Sequence, residues 1–437
     1  MPPASMFRTA LHPGVWEHKG KVAAVGIGHQ GTARRWDGTA ENSVGAWSIA
    51  ACRKAIADAG VNPADVDGLV LDTSTTTGAH WPAGREVPMD VVKQFNQTDD
   101  PLDGIAQLSG EWIVKNMPEL TNMKYIMTGP VCMSTAIAVA AQAIGDGLTH
   151  TCLVLKSWHN LDGRYYQGGA NAEATIAGPA KWTNPWAGPA SLGTATQFQR
   201  YMYKYGKSHD LMAPFMQNSR HNGLLFPEGY WAQHRPEELP AEDYINARWV
   251  AKPANLFDND IPIMASAAYL FTTRERARDL KQKPVYILNH AKDDLVARGF
   301  GGFPTLEECE TACENTGTRL YEGAGIKPDD LSFENMYDGF SLFHVFHLEG
   351  LRSHGIGKGD ALDAFKGDIS INGPFPISPS GGNVGSGRTR FWKHTDCIQQ
   401  IQGRAGARQM KAPANIGVSG GPMPTGGVFT VWGSSPD

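Results

Sequence analysis

Ala59-Gly60-Val61-Asn62-Pro63-Ala64-Asp65-Val66-Asp67 returns later in the chain as Ala324-Gly325-Ile326-Lys327-Pro328-Asp329-Asp330-Leu331-Ser332, an offset of 265 residues (325 − 60). Each copy follows a helical pattern, Ala51 to Asp58 in the first and Leu306 to Glu322 in the second. Each leads into an apolar run, Gly68-Leu69-Val70-Leu71 and Phe333-Glu334-Asn335-Met336-Tyr337. The unit is helix, glycine-bearing turn, strand. One such unit repeated once over so long a distance points to a duplicated α/β half, since solenoid repeats recur every 20–50 residues or so. A site in such a chain is expected where the halves meet.

Outward from the repeat, Lys21 to Gly28 reads as a first buried strand and Ser43 to Asp58 as an amphipathic helix. Tyr125-Ile126-Met127 and Thr151-Cys152-Leu153-Val154-Leu155 read as further strands. Between them, Val131 to Gly145 has Gln142 as its only large polar residue, the pattern of a helix buried on nearly all sides. Strands resume at Ile263 to Thr272 and Val285 to Asn289, and the last is Gly427 to Trp432. This order predicts a mixed or parallel sheet covered by helices. Residues 156–250 break the rhythm with Trp158, Trp182, Trp186, Tyr201 and Trp231. They either line a substrate route or subunit contact, or pack as an irregular cap. The expected division is 1–272, including this excursion, and 273–437.

With 437 residues, 41% of them hydrophobic, the chain can bury one large core or two related ones. A net charge of −5 without a lysine/arginine block argues against nucleic acid as a partner. The first twenty residues hold prolines and charges around no apolar centre, unlike a secretory signal. The most apolar stretch, Ala136 to Ile144, falls far short of the roughly 20 residues of a membrane helix. Six scattered cysteines fit the reduced thiols of a cytoplasmic protein better than a disulfide framework.

Three places carry candidate chemistry. Cys132 stands between a strand and a buried helix, where partial positive charge at the helix N-terminus favours a thiolate. Its plain alternative is a small buried apolar residue. Tyr337, in Tyr337-Asp338-Gly339-Phe340, ends the strand of the second repeat, the strand end at which α/β sites lie. A phenol with an ordinary pKa of about 10 must be shifted down to serve as a base near neutrality. Its alternative is a half-buried, hydrogen-bonded tyrosine. Ser378 to Arg388 is a glycine-rich loop entering a helix, and Arg388 and Arg390 can pair with phosphate or carboxylate. No dinucleotide fingerprint or Gly-x-Ser-x-Gly elbow is present. Cys309 and Cys313 share a helix, but no second pair or histidine cluster completes a zinc site, and His221, His344 and His347 are dispersed.

Taken together, Cys132 to Thr135 with its small-residue helix, Glu242 to Arg248, Thr273 to Leu280, Ala324 to Phe340 and Val418 to Pro422 resemble the thiolase superfamily. The likeness is to the sterol-carrier-protein-type thiolases and the acyl-CoA aldolases of steroid side-chain degradation. It implies a five-layer α-β-α-β-α fold of two duplicated halves. It matches Cys132 to the acyl-accepting cysteine, and Ser380, Gly381 and Gly382 to the loop along the pantetheine arm of coenzyme A. Asp338, Gly420 and Gly421 fall in the same substrate-binding motifs. Tyr337 stands where such thiolases have histidine or asparagine, and the aldolase branch is similar to this chain in having tyrosine. Arg388 replaces the G-H-P histidine, and Asn415 falls where a second catalytic cysteine is expected. The resemblance further implies a homodimer, a small zinc-ribbon/OB-fold partner that would own any zinc, and no cofactor besides coenzyme A within the substrate.

Thiolysis needs a thiolate, a histidine and a second acid/base, and of these only Cys132 is kept. Retro-aldol cleavage of a 3-hydroxyacyl-CoA needs a base for the β-hydroxyl, donors for an enolate oxygen and a returned proton. The expectation is therefore an aldolase with Tyr337 as base, Arg388 lowering its pKa or holding the thioester oxygen, and Cys132 as a wall or oxyanion-hole residue. The alternatives are an acyltransferase using Cys132 and an inactive acyl-CoA-binding scaffold.

Overall fold

A computed structural model describes residues 8–72, 86–129, 132–159, 191–293, 304–421 and 427–437. The repeat is present in it turn for turn. Helix α1 (Val44–Ala59) starts at Ser43, whose side chain accepts from Ala46 N, and ends at Gly60 with φ 71°. The corresponding helix Leu306–Ala324 starts at a Thr305–Glu308 capping box and ends at Gly325 with φ 64°. Both glycines take the left-handed conformation that a Cβ disfavours, and the next amide in each reaches back to the last turn: Val61 N to Ile56 O (3.2 Å), Ile326 N to Tyr321 O (3.0 Å). A 3₁₀ turn follows in each, Pro63–Asp65 and Pro328–Asp330. Then come the strands, Gly68–Asp72 and Phe333–Met336.

The strands are β1 (Val22–Ala33), β2 (Gly68–Asp72), β3 (Tyr125–Thr128), β4 (Thr151–Trp158), the short pair β5 (Trp249–Ala251) and β6 (Ala254–Asn255), β7 (Met264–Thr273), β8 (Val285–Lys292), β9 (Phe333–Met336), β10 (Ile416–Gly420) and β11 (Val428–Gly433). Nine of them form one sheet in the order β3-β2-β4-β7-β1-β8-β11-β10-β9. Read outward from the β1–β8 joint, β7 matches β11, β4 matches β10 and β2 matches β9. The joint is narrow: Ala23↔Tyr286 and Ala24↔Val285. β2 runs parallel to β4, and β9 parallel to β10; across the antiparallel β1–β8 joint the two pairs run in opposite senses along the ladder.

The remaining helices used below are α2 (Gly110–Asn116), α3 (Met133–Gly145), α4 (Ser191–Tyr205), α5 (Ala213–Leu224), α6 (Leu306–Ala324), α7 (Ser341–Leu351), α8 (Gly382–Ser386) and α9 (Trp392–Gln402). One core joins α3 and α9 to strands of both half-sheets, through Ile137, Val139, Trp392, Ile398, Val154 and Ile287. The opposite faces of the strands pack on α1, α2 and α6, through Cys52, Trp112, Leu320, Leu153 and Val431. The helix–sheet–helix–sheet–helix layering follows, with the two half-sheets hydrogen-bonded into a single ladder at their joint. Helix α3 is apolar all round because it lies in the inner layer; Ala136 to Val139 are at most 1% exposed.

Of the 156–250 excursion, residues 160–190, including Trp182 and Trp186, lie outside the described residues. The part described is helical rather than irregular. Phe198, Tyr201 and Phe215 of α4 and α5 pack with Phe343, Val345 and Phe346 of α7. Among the described residues, no helix is long and apolar enough to cross a membrane.

Candidate active site

The site forms where β2, β4, β9 and β10 end and the inner helices begin. Cys132 is the N-cap of α3, 3% exposed, with its Sγ 3.9 Å from Ser134 Oγ. Ser134 Oγ lies 2.9 Å from His394 Nε2, and His394 Nδ1 lies 2.7 Å from Ser419 Oγ, which also accepts from Trp432 Nε1. Burial, with help from Lys393, pushes the His394 imidazole well below its usual pKa, so it is neutral.

Tyr337 follows directly on β9 and is 3% exposed. Its backbone N–H donates to Gly420 O (3.0 Å), which fixes it against the end of β10. The same carbonyl accepts from Lys393 Nζ at 3.0 Å. Lys393 Nζ lies 4.9 Å from the Tyr337 ring centre, and the Arg390 guanidinium 5.9 Å from it. Burial pushes Lys393 down to about 8, against the pull of Cys132 and Asp338, which favour its charge. Arg390 sits at φ 64°, a strained backbone for an arginine, and is held there by its N–H to Asn383 Oδ1 (3.1 Å). Arg388, 4% exposed, lies 4.0 Å from Asp260 and 5.6 Å over Trp158. Trp158 in turn carries Arg390 at 5.2 Å and Lys156 at 4.0 Å from its ring centre, and its Nε1 donates to Thr389 O. Lys156 is fully buried and paired with Asp72 at 2.6 Å. Burial lowers its pKa, and Asp72 pulls it back up.

Asp338 caps α8, accepting from Asn383 N (2.7 Å) and Val384 N (3.3 Å). Burial pushes it up to about 6 in spite of these bonds. Ser380 N donates to Asn335 Oδ1 (3.0 Å), and Ser380 Oγ accepts from Gly382 N (3.0 Å). A side chain at Gly381 would strike Gly223 of α5, and one at Gly382 would strike Asp338. These glycines are thus required by close packing of protein on protein. Gly421 is likewise closed off by Phe429 and His347.

The structure brings Tyr337, Cys132, Arg388, Asp338 and the Gly420–Gly421 turn into one neighbourhood. It does not bring Asn415 there. That residue precedes β10 at the end of the strand away from Gly420; it is exposed, and its N–H donates to Ser332 Oγ at 3.1 Å. The position expected from the resemblance is corrected accordingly: from this strand the site receives Ser419 and the carbonyl of Gly420. Sequence reasoning missed Lys393, His394, Asp260 and the Asp72–Lys156 pair. The signal for the pair was a lone charge at the end of each of two apolar strands. His344 and His347 have local partners: Glu334 at 3.0 Å and the Cys313 sulfur at 3.6 Å.

Beside the site opens a cavity of about 670 Å³, lined by Arg34, Arg220, Trp231, Arg248, Asp260 and Val384 among others. Arg220 stacks 3.8 Å over Trp231. Asp260 joins cavity to site: its Oδ2 accepts from Asn383 Nδ2 (3.2 Å). The described stretch of the excursion thus contributes Arg220, Trp231 and Arg248 to the recess beside the site. Among the described residues no group of His, Cys, Asp and Glu is arranged to hold a metal.

Residues 305–431 match the family model described as thiolase C-terminal domain-like. The chain is 26% identical over 432 residues to the 17-hydroxy-3-oxo-4-pregnene-20-carboxyl-CoA lyase of Mycobacterium tuberculosis, covering 94% of this chain and 99% of that one. It is 25% identical over 380 residues to the steroid side-chain-cleaving aldolase of Thermomonospora curvata, covering 84% and 86%. Among solved structures, the Ltp2-ChsH2(DUF35) aldolase superposes with a TM-score of 0.74 at 21% identity, covering 95% and 98%. The acetyl-CoA acetyltransferase of Syntrophomonas wolfei gives 0.62 at 12%, covering 95% and 99%.

Proposed function

The chain belongs to the thiolase superfamily, in the branch of SCP2-type thiolases and steroid side-chain aldolases, and from that premise we propose that it cleaves a bulky 3-hydroxyacyl-CoA by retro-aldol chemistry. The products are a ketone or aldehyde and a shorter acyl-CoA. One observation carries the reading: the phenol of Tyr337 is buried beneath the cations of Lys393 and Arg390, and the thiol of Cys132 is close enough to favour the Lys393 charge. Cations around a phenol favour phenolate, which is what a base for the substrate hydroxyl requires. The same cations, with Arg388, suit the negative charge that moves to the thioester oxygen as the Cα–Cβ bond breaks. Cys132 serves as a wall of that pocket.

Coenzyme A enters, in this proposal, through the cavity at Val384, in the helix that follows the Ser380–Gly382 turn. The relatives named as a pregnene-carboxyl-CoA lyase and a steroid side-chain-cleaving aldolase, together with the recess lined by Trp231, support a ring-bearing acyl group. The proposal includes a cytoplasmic homodimer and a small zinc-ribbon/OB-fold companion; the two-component name of the Ltp2-ChsH2(DUF35) aldolase supports the companion. The test is incubation with a synthetic branched 3-hydroxyacyl-CoA and mass-spectrometric identification of products. A ketone plus a short acyl-CoA is expected; intact substrate, in the presence of the companion protein as well, would overturn the proposal.

A second reading has one observation of its own. Ser134 links Cys132 to the His394 imidazole, a route for activating the thiol toward acyl transfer. Under that reading an acyl group accumulates on Cys132 and is lost in Cys132→Ser.

A further inference from the structure

Gly339 is a glycine because of what surrounds it. A methyl placed on its Cα would land on the hydroxyl of Tyr337 and lie 2.7 Å from Asp260 Oδ2. The phenol is therefore folded back over residue 339, and its oxygen and the Asp260 carboxylate crowd one point. The strand-end backbone reinforces this: Asp260 N donates to Gly339 O at 3.1 Å, so residues 260 and 339 are tied directly. The loop that carries Asp260 is itself anchored. Asp258, 1% exposed, accepts from Asn255 N (2.7 Å), Tyr244 Oη (2.8 Å) and Ser341 Oγ (2.6 Å), and lies 2.7 Å from His209 Nε2. Asp260 is 2% exposed and lies between the cavity and Arg388.

From this arrangement we propose that Asp260 is a positioning residue for Tyr337 and the terminal carboxylate of a proton relay, substrate hydroxyl to Tyr337 to Asp260. The inference rests on the retro-aldol reading and deepens it. The hydroxyl proton of the substrate passes to Tyr337 Oη while the phenolic proton passes to an Asp260 oxygen. The electron pair of the O–H bond becomes the new C=O bond, and that of the Cα–Cβ bond moves into the thioester as an enolate. The relay then runs backward and returns one proton to the enolate carbon. Nothing is oxidised or reduced, and no free phenolate has to accumulate. The groups around the phenol divide accordingly: Lys393 and Arg390 lie against its ring, Asp260 crowds its oxygen, and Asp338 is engaged by the first amides of α8.

Two measurements on the full-length protein test the relay. In the first, Asp260→Ala is assayed on the 3-hydroxyacyl-CoA with and without formate, a small carboxylate. The expected loss in kcat is about 10²-fold with KM nearly unchanged, and formate recovers roughly tenfold of it. A kcat within about threefold of wild type, or a loss that formate leaves untouched in a variant of unchanged melting temperature, overturns the relay. In the second, which needs no turnover, the Tyr337 ring carbon is followed by NMR through a pH titration in wild type and Asp260→Asn. Loss of the neighbouring carboxylate charge is expected to lower the phenol midpoint by about one pH unit or more. An unchanged midpoint overturns the inference. Absence of cleavage by the wild type sinks the retro-aldol reading itself, and the titration still decides the Asp260–Tyr337 contact.

Discussion

The two repeated units end in the same place with different chemistry. Asp72 closes β2 and Tyr337 follows β9, and the two stand 265 residues apart (337 − 72), the offset of the repeat itself. In the first half the neighbouring strand β4 brings Lys156 into register with Asp72, and the two form a fully buried ion pair. In the second half the neighbouring strand β10 brings Gly420, which offers no side chain, and its carbonyl holds the Tyr337 backbone and the Lys393 ammonium together. One duplicated position has thus become a neutralised structural pair and the other a phenol beside a cation that is not consumed by a carboxylate of its own strand. Duplication supplied the frame, and the strand partner decided which end became chemical.

The largest effect expected from breaking this comparison is at the phenol. Tyr337→Phe should lower kcat on a 3-hydroxyacyl-CoA by about 10²–10⁴, as loss of a general acid/base does, with thermal unfolding little changed. In the first half the prediction reverses, to large stability loss. Lys156→Met removes the buried cation paired with the Asp72 carboxylate and should cost about 3–5 kcal/mol in urea unfolding. Adding Asp72→Leu to it should recover most of that loss, because removing both charges also removes their desolvation cost.

Next comes pH. Asp338 has its folded-state pKa raised to about 6, so between its unfolded value and about 6 the folded protein binds the extra proton. Its contribution to stability is therefore full at low pH and is lost as pH rises through 6. The step is about 3 kcal/mol, and Asp338→Asn should flatten it in denaturation curves taken at pH 4 and 7. The smallest effect expected is at Lys393. Its ammonium loses its proton near 8, so the activity of the wild type should decline above that pH. Lys393→Met should lower kcat by about tenfold and abolish that limb of the pH profile, since it removes a cation that lies 4.9 Å from the Tyr337 ring centre.

Much of the frame was legible because it is local. Glycine after a helix, proline in the next turn and an apolar run beyond it are set by backbone chemistry within a dozen residues, and they recur at 59–72 and 324–337. β1 outran its expected end at Gly28 to reach Ala33, because it pairs with β7 along nearly its whole length. Tyr337 and Cys132 were legible as strand-end and helix-start residues. The rest of the site is assembled across long sequence distances. Asp260 and Gly339 meet from 79 residues apart (339 − 260), and the residues around Asp260 show no periodicity to mark them. Lys393 had one readable sign. A lysine in the first turn of a helix opposes the helix dipole, and such local misfits gather at functional positions. Asn415 misled because a motif count ignores which end of a strand faces the site.

The central claim is cleavage by a phenol without an acyl-enzyme, and turnover by Cys132→Ala on a branched 3-hydroxyacyl-CoA tests it most directly. The variant is predicted to release ketone and acyl-CoA within about tenfold of the wild-type rate, because a wall residue moves no proton, whereas loss of the base costs about 10²–10⁴. Loss of all turnover, together with an acyl adduct trapped on Cys132 of the wild type, would contradict it.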